Sequence, residues 1–231
     1  MNNHYLGGLG NKEFIMYHYI EDKAFLKNLR STCSDIVNQL VQAINRDGKI
    51  EVKAHLVGSG ARNMETQNAN EPVDLDYNLW ICSCDDYKKC REIKEYIRKM
   101  FNKTLHANGW GDCEDSTSSL TTEKRQFKSG NKTLFSIDLA IVAEGTQDNW
   151  YRLIHKKTGF TNYDEYYWQE APHSKGLVDK VETLKDNNLW LEVRQAYLDK
   201  KNMYLSRQDR NHPSFVVYIE AVNEIYHKYF R

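Results

Sequence analysis

The sequence predicts an α+β protein, a mixed sheet with flanking helices over residues 1–148 followed by a mainly helical half over 149–231. Three observations carry this. Two short apolar strands, one with two acids on one face and one with a single acid, lie within the first 142 residues. Amphipathic helical periods surround them. The chain then changes character and becomes rich in Tyr, Trp and Lys. Helix, strand, turn, strand, helix and hairpin, followed by a run of helices, suits a sheet layer joined to a helical one.

Taken in order, residues 1–11 are polar and rich in glycine. Gly7, Gly8 and Gly10 do not follow a strand, so they read as a loose terminus and not as a phosphate loop. Cys33, Ile36, Val37, Leu40, Val41 and Ile44 recur at the helical period, which predicts a helix over 13–46, stopped by Asp47 and Gly48. Lys49 to Val57 reads as a strand running into Gly58-Ser59-Gly60, and Val73 to Ser83 as a second strand. Asp85 is the expected cap of a helix reaching about Asn108. Ser118 to Lys128 and Thr133 to Val142 read as a hairpin turned at Ser129-Gly130-Asn131-Lys132. Beyond Asn149 helices are expected, with Tyr151 to Phe160 unassigned. In the last of them Phe215, Ile219, Val222, Tyr226 and Tyr229 share a stripe opened by Pro213 and Ser214.

Composition narrows the function classes. The 231 residues carry 32 basic and 32 acidic side chains, so no global field draws the chain to nucleic acid. No apolar run is long enough for a membrane span, and no charged start precedes an apolar stretch at the N-terminus. The five cysteines are odd in number, and Cys82, Cys84, Cys90 and Cys113 fit no common zinc spacing. Free thiols and a cytoplasmic location are the expectation.

The chemistry concentrates in two segments. In Asp74-Leu75-Asp76-Tyr77-Asn78-Leu79-Trp80-Ile81, strand alternation puts Asp74 and Asp76 on one face and the apolar residues on the other. Two carboxylates so placed repel unless a cation lies between them. In Phe135-Ser136-Ile137-Asp138-Leu139-Ala140-Ile141-Val142, a single acid interrupts an apolar strand, and such an acid needs a partner. If the strands are neighbours, three carboxylates converge as a clamp for two divalent metals. Gly58-Ser59-Gly60-Ala61 has little side-chain bulk, so phosphates can approach its backbone N–H groups. Ser59 can add a hydroxyl donor and Arg62 a guanidinium.

On these residues the chain resembles the nucleotidyltransferase superfamily of DNA polymerase beta, a polymerase beta-like fold. The family's strand, Gly-Ser turn, acid-apolar-acid strand and later acid match His55-Leu-Val-Gly58-Ser59-Gly-Ala-Arg62, Thr66, Asp74-Leu-Asp76 and Ile137-Asp138-Leu139, over roughly residues 50–142. The match departs from the family at Glu65, where many members carry Gly before the Thr, and in the longer loop from Gln67 to Val73. The resemblance implies a transferase that moves a nucleoside monophosphate from an NTP, ATP foremost, to a hydroxyl acceptor. It implies Asp74, Asp76 and Asp138 as catalytic metal ligands for two Mg²⁺, with Mn²⁺ as a substitute. Gly58, Ser59, Arg62 and Thr66 would contact the nucleotide. A small molecule or nucleotide acceptor is favoured over a long nucleic acid. The rival reading is a nucleotide-binding pseudoenzyme, or a defence or toxin–antitoxin component, without independent turnover.

The helical half offers weaker candidates. Lys175 and Lys180 follow Pro172-His173-Ser174, and Lys175 is placed in the nucleotide-binding set by analogy with basic residues of relatives. Tyr163, Tyr166, Tyr167 and Trp168 can stack on a base or simply pack. Arg207 and His212 have the spacing of the HEPN ribonuclease motif, but Asn211-His212-Pro213 reads better as a helix start.

Overall fold

The computed structural model describes residues 16–146, 149–171, 176–209 and 212–230. The first helix, α1 (Lys23–Asp47), begins later than its period suggests. The Asp22 carboxylate accepts from the Phe25 N–H and sets the start, and Gly48 in the left-handed region sets the end. The preceding residues form β1 (Tyr17–Tyr19) instead, because this stretch pairs antiparallel with β3 (Thr66–Asn68). The buried row Phe25, Leu29, Cys33, Ile36, Val37, Leu40 and Ile44 seats α1 on the back of the main sheet.

That sheet has seven strands, ordered β2 (Ile50–Leu56), β4 (Val73–Cys84), β7 (Phe135–Glu144), β6 (Leu120–Thr121) and β5 (Glu114–Asp115), with β8 (Trp150–Lys156) and β9 (Glu165–Glu170) continuing from β7. Among the described residues all pairings in this sheet are antiparallel except β4 with β7, which run parallel. Leu75, Tyr77, Leu79 and Ile81 of β4 and Ile137, Leu139 and Ile141 of β7 are buried against α1 and α3 (Cys90–Ala107). Full burial of each such side chain contributes roughly 1.5–3 kcal/mol.

Three sequence expectations need correction. The expected first hairpin arm is a strand only at Leu120–Thr121, with one bridge from Arg125 to Phe135. Between them the Thr122 Oγ1 accepts from the Ile137 N–H, so a side chain replaces part of the ladder. The cap of α3 is Lys89; Asp86, not Asp85, orders the approach by accepting from the Lys88 N–H. The segment after Asn149 is not helical at first: β8 and β9 extend the sheet because Leu153, Tyr166 and Trp168 join its core. Helices follow as α4 (Leu177–Asp186), α5 (Trp190–Ser206) and α6 (Ser214–Tyr229), around a second core that includes Val193, Tyr197, Val217 and Val222. Met64, between the two halves in sequence, is buried in that second core.

One buried charge network ties α3 to the hairpin. Lys94 pairs with Asp115 at 2.7 Å, and His155 lies between Asp115 at 2.7 Å and Asp164 at 3.0 Å, stacked on the Tyr166 ring. Removing one partner of a buried pair strands the other charge. Asp115→Ala is therefore expected to destabilise the protein by about 3–5 kcal/mol in urea titration. Lys156→Ala, which breaks an exposed pair with Glu165, should leave the midpoint unchanged. Equal midpoints for the two variants would refute the structural role given to Asp115.

Candidate active site

The site forms where β2 ends and β4 begins. Parallel pairing sets Asp74 opposite Ser136 and Asp76 opposite Asp138. Since paired residues in adjacent strands share a face, the three predicted carboxylates lie on the open face of the sheet. Asp74 is exposed, whereas Asp76 and Asp138 are half-buried. The Ser136 hydroxyl donates to Asp74 Oδ1, and the Thr121 hydroxyl donates to Asp138 Oδ1 at 2.5 Å.

Gly58-Ser59-Gly60 is not an open turn but the start of α2 (Gly58–Arg62), a single helical turn. The Val57 N–H donates to the Asp76 carbonyl at 2.8 Å, which fixes this turn against the acidic strand. Gly58 has a positive φ of 63°, and a Cβ there would lie 2.2 Å from Asp76 Oδ2. Glycine is thus required both by backbone conformation and by the closeness of the carboxylate.

No protein-family model matches the chain, and no curated protein sequence matches it. Solved structures do. CdnC of E. coli MS115-1 with ATP has a TM-score of 0.58 at 16% identity, covering 90% of this chain and 62% of that one. The same CdnC in complex with HORMA-deltaN has a TM-score of 0.55 at 16% identity, covering 87% and 60%. E. coli DncV in its 3'-deoxy GTP form has a TM-score of 0.51 at 12% identity, covering 77% and 46%. The chain shares its fold with these structures. The present chain spans less than two thirds of the length of these structures.

In this fold the acidic face is electrostatically loaded. The Asp76 carboxyl is pushed up to about 6, first by burial, then by repulsion from Asp138 and Asp74, with Arg152 and Arg62 pulling the other way. Asp138 is also raised, first by burial and further by Asp74, against the Thr121 hydrogen bond. Arg152 of β8 was not among the sequence candidates. Its strand was unassigned, and only the pairing of β8 with β7 brings it near Asp76. Its Nε is buried and has no hydrogen-bond partner among the described residues.

Several of the remaining candidates have partners within the protein. Arg62 donates from Nη1 to the Gly58 carbonyl at 2.6 Å, and its guanidinium lies 4.2 Å from the centre of the Tyr218 ring. It therefore braces the Gly58 turn against α6. Thr66 accepts from the Lys201 ammonium at 2.8 Å, and Glu65 is buried against Arg30. Lys201 is half-buried and its ammonium is brought down to about 8, chiefly by desolvation. It also stands 3.9 Å from the centre of the Tyr17 ring. No periodicity in the sequence pointed to Lys201, because its partners come from segments more than 130 residues away. Lys175 lies outside the described residues. Lys180 donates to Asn223 within the helical half. Trp168 donates to the Tyr87 carbonyl, Tyr166 packs on His155, and Tyr163 is exposed. His212 pairs with Asp209 and stacks on Tyr204.

The raised Asp76 makes a signed prediction. An acid whose pKa rises on folding holds its proton more tightly when folded. Stability therefore falls as pH climbs from the ordinary value of 3.8 through about 6, and above that the full penalty remains. In metal-free buffer at pH 7.5, Asp76→Asn should stabilise the fold by roughly 1–3 kcal/mol, a gain that vanishes below about pH 4. Thermal melts across pH check this, and a destabilised Asp76→Asn at pH 7.5 would contradict the electrostatic account.

Proposed function

We propose that this chain is a metal-dependent nucleotidyltransferase that moves a nucleoside monophosphate from an NTP to a hydroxyl acceptor. The observation that carries the reading is the convergence of Asp74, Asp76 and Asp138 on one open sheet face, directly beside the Gly58-Ser59 turn. The fold shared with CdnC, solved with ATP, and with DncV, solved in a 3'-deoxy GTP form, supports it. ATP is the donor we would test first.

The residues fit divalent metal in their chemistry. They are hard oxygen donors, and the burial and neighbouring acid charge that lift Asp76 and Asp138 are conditions a cation relieves. Among the described residues, no three acidic, His or Cys groups are already gathered as a ligand shell. Asp74 and Asp138 each spend one oxygen on a neighbouring hydroxyl and keep the other free for ligation. Two Mg²⁺ ions, or Mn²⁺ in their place, held by Asp74, Asp76 and Asp138, would neutralise phosphate charge and polarise the reacting oxygens.

The chain's own residues supply the rest. Gly58 presents no side chain toward Asp76, which lets the carboxylate lie against the turn. Ser59 offers a hydroxyl to a phosphate oxygen, and Arg62 holds the Gly58 carbonyl in place. Thr66, bonded to Lys201, lies at the far end of this segment. Asp138, raised by burial and with Oδ1 occupied by Thr121, has Oδ2 available to take the acceptor hydroxyl proton. The acceptor oxygen bonds to the α-phosphorus, the bond from that phosphorus to the bridging oxygen breaks, and pyrophosphate leaves with the electron pair. Arg152 is a cation close enough to Asp76 to offset charge there. Catalysis of this kind is mainly positioning and charge neutralisation.

Calorimetry with ATP, GTP, CTP and UTP in Mg²⁺ tests the reading without knowledge of the acceptor. Wild type should bind at least one NTP, and the Asp74→Ala/Asp76→Ala double variant should bind none. Gly58→Ala should weaken binding by tenfold or more, since its Cβ meets the Asp76 carboxylate. Lowering pH through about 6 should weaken the Mg²⁺-dependent part, because protons compete for Asp76. No Mg²⁺-dependent NTP binding by folded wild type would overturn the reading in favour of a pseudoenzyme.

A further inference from the structure

The polar row of β4 does not end at the carboxylates. Asp74, Asp76, Asn78 and Trp80 alternate with buried residues and so share the open face. Asn78 lies opposite His55 of β2 on one side and Ala140 of β7 on the other. Trp80 lies one step further, opposite Lys53. Its ring meets Trp150 edge-on at 5.2 Å, with the Lys53 ammonium 5.4 Å from its centre. An aromatic wall with a cation at its rim thus closes the end of the row.

Asn78 sits between this wall and the acids. Its side chain is half-buried and makes no hydrogen bond among the described residues. Its amide reaches solvent and is therefore available to a ligand. Ala140 beside it is small and adds little bulk next to Asn78. Two residues of strand place Asn78 about 6.6 Å from Asp76, and Trp80 a similar distance beyond. Such spacing suits a nucleoside: a ribose hydroxyl at the acids, a base edge at the next polar position, and an aromatic surface beside the base. An amide carries both donors and an acceptor and can pair with a base edge, and aromatic side chains stack on bases of any identity.

We propose that Asn78 is a specificity-determining residue for the acceptor: its amide reads the hydrogen-bonding edge of a heteroaromatic base, and Trp80 walls that base. This rests on the nucleotidyl-transfer reading above, and it narrows the acceptor to compounds that carry a planar base.

The test uses the full chain with Mg²⁺, each NTP as donor, and the four ribonucleosides and an aminoglycoside as candidate acceptors, with products separated by chromatography. Wild type should join the nucleotide to a nucleoside with a preference among bases. Asn78→Ala should raise acceptor KM at least tenfold or erase that preference, at unchanged donor affinity by calorimetry. Trp80→Ala should raise acceptor KM more than Trp80→Phe does. Unchanged acceptor KM and preference in Asn78→Ala overturn the proposal. So does transfer to the aminoglycoside but to none of the nucleosides. If wild type binds NTP in an Asp74- and Asp76-dependent way yet uses no nucleoside, the proposal falls and the transfer reading stands. If no NTP binds at all, both fall.

Discussion

Asp76 and Asp138 face each other across the one parallel strand pair in the sheet, and they repel. The repulsion cannot be relieved by sliding the strands. A one-residue slip would turn Leu75, Leu79, Ile137 and Ile141 out of the core. Burial on the back of β4 and β7 therefore holds the acids together on the front, at a cost expressed as the raised Asp76 carboxyl. Hydroxyls from Ser136 and Thr121, the glycine at position 58 and the nearby Arg152 all answer this local condition. A charge-dense face of this kind marks a candidate functional site.

The segment 58–68 joins this face to the helical half. Met64 is buried among the helices, Arg62 reaches Tyr218 of α6, and Thr66 receives a hydrogen bond from Lys201 of α5. β3 at the end of the segment pairs with β1, whose Tyr17 backbone is clamped on both sides by Asn202. A shift of the helices would thus be felt at the Gly58 turn, through Arg62 and its bond to the Gly58 carbonyl. This makes the helical half a mechanical support of the site, in addition to any ligand it contacts.

The hairpin of β8 and β9 plays a comparable part on the other edge. It widens the sheet beyond β7, carries Arg152 toward Asp76, and brings Trp150 against Trp80. Its attachment to α3 through Lys94, Asp115 and His155 is buried and polar, an arrangement that holds one geometry more strictly than apolar packing would. The open face is flanked by β2 on one side and, beyond β7, by β6 beside Asp138 and by this hairpin further along.

Alternation along residues 73–81 and 135–142 was enough to assign both central strands, their buried faces and the three acids, because strand period and burial are local properties of the chain. The Gly58-Ser59 position was legible for the same reason, as low bulk following an apolar strand. The sequence did not reveal that Tyr17–Tyr19 leaves the helical run to pair with Thr66–Asn68, since that pairing depends on a distant partner. Nor did it show the strands at 150–170, whose aromatic and charged residues suit helix and strand alike until Leu153 finds the core. Arg62, Thr66, Arg152 and Lys201 took their places only in three dimensions, because each depends on contacts between elements far apart in the chain. Local pattern thus determined which acidic residues share a strand face. Long-range packing decided which of them face one another and at what electrostatic cost.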